Sequence, residues 1–151
     1  MIDEAKHELK RADHLIFVSL KYTRTMDVLE STVKRLIGTL EFDIETLLEW
    51  MLDKKKIKEI PSAYKEKISL AREKFSKDEV IQEILKFYSF LMRVDRGEHE
   101  RRSEFRKGVT MIATNEMGDV IDEVNIDKLK EYYLKTVEIT EYIEEYLAKK
   151  R

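Results

Sequence analysis

Apolar and small side chains recur along the start of the chain at alternating intervals of three and four: Ile2, Ala5, Leu9, Ala12, Ile16, then Ser19 and Thr23. That period is one face of a helix. Within it the run LIFVSL, Leu15 to Leu20, is apolar on every side. Phe17 is therefore expected to be covered, either by the rest of the chain or by a second subunit. A turn at KYTRTMD follows, with Thr25 placed as helix cap and Asp27 at the positive helix end. Met26, Leu29, Val33, Leu36, Leu40, Ile44, Leu47 and Met51 form the next stripe, predicting a long helix to Asp53. Gly38 in its middle marks close approach of a neighbour. Phe42, Thr46 and Trp50 share a face off the stripe, which either forms an interface or is covered by the next helix.

Pro61 separates this helix from a short one carrying Tyr64, Ile68, Ala71 and Phe75. SKDE, Ser76 to Glu79, matches a capping box, in which hydroxyl and carboxylate each bond the other's free amide. It predicts a helix carrying Val80, Ile84, Leu85, Tyr88, Leu91 and Met92, closed by Gly97 in the left-handed conformation. GVTMIATNEMGDVIDEVN is rich in β-branched residues around a turn cluster at 115–119, predicting a hairpin of about 109–114 and 120–124. Asn125 or Asp127 then caps a last helix with Leu129, Tyr133, Thr136, Thr140, Ile143 and Leu147 as its stripe. The predicted fold is mainly α: an antiparallel four-helix bundle with an extra short helix and a β-hairpin inserted before the last helix, in a single domain of residues 1–151.

Composition narrows the chemistry. Apolar residues are 42 % and charged residues 40 % of 151, with a net charge of −2. No bulk basicity points to nucleic acid, so any such contact needs a local patch. There is no cysteine, which removes disulfides, thiolate metal sites and cysteine nucleophiles and accords with a cytoplasmic protein. No apolar run approaches a membrane span, and MIDEAKHELKRADH is charged too early to be a signal peptide. Few amides among many Glu, Lys and Arg point to a thermophile.

Metal chemistry finds little footing. A di-iron bundle needs Glu-x-x-His on each of two helices, and only Glu4 and His7 match. His7 and His14 lie two turns apart, too far to share one ion. No phosphate-cradling glycine loop is present, and no metal or cofactor is expected.

The chemistry concentrates in FLMRVDRGEHERRSEFRKGV, residues 90–109. Arg93, Arg96, Arg101, Arg102, Arg106 and Lys107 stand there against Asp95, Glu98, Glu100 and Glu104. The stretch reads as a solvated charged connector, or as a phosphate-binding segment in which guanidinium forks grip phosphate oxygens and His99 moves a proton. In the second reading, Arg93 followed by His99 near the end of the third long helix resembles the HEPN superfamily. That resemblance implies a dimeric helical protein that binds RNA, or cleaves it without metal. Arg93 would hold phosphate and His99 would act as acid or base. Arg96, Arg101, Arg102, Arg106 and Lys107 would hold the nucleic acid, and a nucleotidyltransferase-type protein is an expected partner. The alternative is a non-catalytic assembly protein, homodimeric or docking a partner, with Phe17, Phe42 and Trp50 at the interface.

Overall fold

The computed structural model describes residues 2–150 and is mainly helical, with a small antiparallel sheet. Helix α1 spans Ile2–His14, passes through a π-helical stretch at Leu15–Ser19, and ends in a last turn at Leu20–Tyr22. α2 is Met26–Asp53, α3 Tyr64–Lys74 and α4 Glu79–Arg96. Strands β1 (Glu98–Arg102), β2 (Thr110–Thr114) and β3 (Val120–Val124) follow, and α5 (Ile126–Lys150) closes the chain. α2 is the spine, with α1 and α5 along it and α3, α4 and β2 also against it. Its stripe from Leu29 to Leu48 is almost wholly buried. Among the described residues no helix is long and apolar enough to cross a membrane.

The apolar run in α1 does not bury all round. Widening to π geometry turns Ile16 and Leu20 into the core, while Phe17 stays 48 % exposed. Gly38 faces only the end of the Glu8 side chain.

Helix starts depart from expectation in two places. Thr25 occupies the cap position of α2, but its side chain makes no cap bond. The Met26 amide instead donates to Glu104 Oε2 at 3.1 Å, from 78 residues away. A carboxylate at that end also meets the positive pole of the helix. α4 begins not from Ser76 but from Asp78, whose Oδ1 accepts from the Ile81 amide at 3.1 Å. Asp78 stands immediately before the first helical residue, which is where a cap must lie. At the start of α5, Asn125 Oδ1 accepts from the Lys128 amide at 2.8 Å.

The sheet has order β1-β2-β3. The hairpin of β2 and β3 turns on Asn115, whose Oδ1 accepts from the amides of Met117 and Asp119, both at 2.9 Å. β1 adds a third strand where the sequence predicts none, pairing Glu98 with Thr114 through to Arg102 with Thr110. Gly97 is not left-handed: it is extended, at φ −67° and ψ 170°. Its role is clearance, because a Cβ there would lie 2.6 Å from the Thr114 carbonyl oxygen. Met111, Ala113 and Val124 bury one face of the sheet.

Candidate functional site

Alternation along β1 puts His99 and Arg101 on one face and Glu98, Glu100 and Arg102 on the other. The His99 side chain is 9 % exposed. Its Nδ1 lies 2.7 Å from Glu30 Oε2 on α2, and its Nε2 lies 2.6 Å from the Val94 carbonyl oxygen. A carbonyl only accepts, so Nε2 carries a proton. Both ring nitrogens are thus engaged in tying β1 to α2 and to the end of α4.

Arg93 lies elsewhere. It is exposed on α4, with its guanidinium carbon 5.9 Å from the centre of the Phe90 ring, and it lines a groove that His99 does not reach. The structure therefore does not bring Arg93 and His99 together. Of the other basic residues, Arg96 lines the same groove. Arg101 pairs with Glu104 at 3.2 Å and Arg102 with Glu123 at 3.0 Å. Arg106 and Lys107 stand exposed on the loop between β1 and β2, outside the groove.

The groove, of about 990 Å³, runs between α3, α4 and the turn of the hairpin. Lys65, Arg72, Arg93 and Arg96 supply its cations, against Glu98 and Glu116. None of these four cations is in an ion pair among the described residues. Ile68, Met92, Met117, Val120 and Ile121 give it apolar walls.

Tyr64 and Tyr88, which also line the groove, are tied to carboxylates of α2. The Tyr64 hydroxyl and the Lys67 ammonium donate to the same oxygen, Glu45 Oε1, at 2.5 and 2.6 Å. The Tyr88 hydroxyl donates to Glu41 Oε2 at 2.8 Å. Burial and the bonded carboxylates push both phenols above their ordinary range. Burial raises Glu41, with the Tyr88 bond opposing it. Burial would raise Glu45 too, but its bonds from Lys67 and Tyr64 outweigh that and hold it low.

The result is a wall of fixed phenols with four cations at its rim that stand in no ion pair among the described residues. Such a site can take phosphate oxygens at the rim and planar groups against Tyr64 and Phe90. The sequence reading missed Glu41, Glu45, Tyr64, Lys67 and Tyr88 as a set. Glu41 and Glu45 are one helical turn apart, but the tyrosines read as ordinary core members. Only packing of three helices unites them. Among the described residues no group of three or more His, Asp or Glu side chains is placed to hold a metal ion.

The three aromatic residues expected at an interface are separated. Phe17 meets Tyr133 edge-on at 6.0 Å, and Leu134, the next residue of α5, is 59 % exposed. Phe42 is half-buried. Trp50 is half-buried against Tyr146, with Lys56 Nζ 4.8 Å from its ring centre and its indole nitrogen buried without a hydrogen-bond partner. No family model, no curated protein and no solved structure matches the chain.

Proposed function

We propose that the chain is a HEPN-like antiparallel helical bundle that binds single-stranded RNA in the groove between α3, α4 and the hairpin, and does not cut it with Arg93 and His99. The carrying observation is the rim of four cations, Lys65, Arg72, Arg93 and Arg96, left without ion-pair partners around a groove with aromatic walls. Unpaired guanidinium groups release counterions on meeting phosphates, and rings accept any base. Catalysis by the Arg93 and His99 pair lacks support because both nitrogens of His99 already have partners.

Fluorescence anisotropy with a labelled single-stranded RNA tests the reading. Arg93→Glu with Arg96→Glu is expected to weaken binding at least about tenfold, since each lost charge contact is replaced by repulsion. Equal affinity in the double variant overturns the groove. Cleavage that persists in EDTA and vanishes in His99→Ala, with folding intact, restores the catalytic reading.

A second reading, a homodimeric assembly protein, is favoured by the exposed apolar side chains Phe17 and Val18 on α1 and Leu134 on α5. Light scattering decides it: a dimer that Leu134→Glu converts to monomer supports it, and a wild-type monomer at working concentration removes it.

A further inference from the structure

We infer that segments 21–24 and 103–107 form a second contact for the same RNA, a tip on which bases stack. The inference rests on the RNA reading of the groove and extends it. Ser103 and Phe105 have φ of 57° and 69°, a left-handed conformation rarely taken by residues with bulky side chains. A connector needing only a reversal would place glycine at such positions. Here the strain is held by three bonds. The Phe105 amide donates to the Arg24 carbonyl at 2.6 Å. Glu104 between the two strained residues accepts from the Met26 amide at 3.1 Å and from Arg101 at 3.2 Å.

What this anchoring achieves is the display of a ring in water: Phe105 is 77 % exposed. Tyr22, 79 % exposed, ends the last turn of α1 two residues before the Arg24 carbonyl that holds the loop. Lys21, Arg24, Arg106 and Lys107 accompany the two rings, and none is in an ion pair among the described residues. Rings interleaved with unpaired cations fit a single strand, whose bases stack and whose phosphates meet the cations. A lipid surface is matched less well, because interfacial binding needs a broad apolar face rather than two rings. β1 runs from Glu98 on the groove to Arg102 beside the tip, a span of roughly 15 Å. One strand of RNA thus reaches both.

Phe105→Gly separates this role from folding, because it removes the ring while relieving the left-handed φ. It is expected to melt no earlier than the wild type yet bind a labelled single-stranded RNA about tenfold more weakly, the scale of a lost stack. Phe105→Trp is expected to restore affinity. The groove variant Arg93→Glu with Arg96→Glu is measured alongside. If Phe105→Gly binds like the wild type while the groove variant fails, the tip is overturned and the groove stands. If only Phe105→Gly fails, the tip stands and the groove falls. Should the wild type bind no RNA, both are overturned, including where it binds phosphatidylserine vesicles through Phe105.

Discussion

Asp43 lies fully buried between α2 and α5, with Thr140 Oγ1 donating to its Oδ2 at 2.7 Å and its Oδ1 without a partner. Burial raises its pKa from 3.8 to about 7, with the Thr140 bond opposing the rise. The folded chain therefore holds a proton there that the unfolded chain releases near 3.8. Linkage fixes the sign: this group's stabilisation is full below about pH 4, declines as pH rises, and is lost above about 7. The loss is on the order of 4 kcal/mol. Asp43→Asn cannot ionise. Between pH 4 and 8 the wild-type melting temperature is expected to fall by roughly 10 °C relative to the variant. Parallel melting curves for the two proteins across that range would remove the assignment. His99 shows why roles were harder to read than folds at this scale. Its residue type allowed acid–base work, but Glu30 lies 69 positions away and decides what the ring does.

Gly97 joins α4 to β1 with no linker, so the two elements meet at one residue. A Cβ there would meet the Thr114 carbonyl at 2.6 Å and the Arg93 carbonyl at 3.2 Å, and neither backbone group yields cheaply. Gly97→Ala is expected to cost about 1–3 kcal/mol in urea unfolding, the usual scale of overpacking. Gly38→Ala is the opposite case. Its Cβ would lie nearest Glu8 Oε2, at 3.3 Å, a side-chain end paired with Arg11 and Arg35 that need give by only a few tenths of an ångström, and removing a mid-helix glycine gains about 1 kcal/mol. Equal responses at the two positions would mean that clearance at Gly97 is not what glycine provides. The long helices were legible because their stripes are local and periodic. β1 was not, because EHERR carries no apolar alternation, and it becomes a strand only because β2 offers it an edge. The Glu104 cap of α2 was illegible for the same reason. A carboxylate that caps a distant helix looks like any other acid in sequence.

For the molecule as a whole, a net charge of −2 argues against nucleic acid until the charges are sorted by position. Arg101 and Arg102, the adjacent arginines of the charged stretch, are paired with Glu104 and Glu123. Lys65 and Arg72, unremarkable in sequence, join Arg93 and Arg96 around the groove only because α3 packs beside α4. Local charge at the proposed groove and tip, not net charge, should then set the salt dependence of RNA binding. The four groove contacts to a single strand contribute about −3 to the slope of log affinity against log salt, a fall of roughly 50-fold between 50 and 200 mM salt, and phosphate contacts at the tip steepen it further. Arg93→Gln and Arg96→Gln should each make that slope shallower by about 0.7, because each removes one counterion-releasing contact. Phe105→Gly should lower affinity at every salt concentration and leave the slope unchanged, because stacking releases no counterions. A wild-type slope near zero would show that the four cations are not the contact. A slope unaltered by either arginine substitution would place the phosphate path elsewhere on the surface.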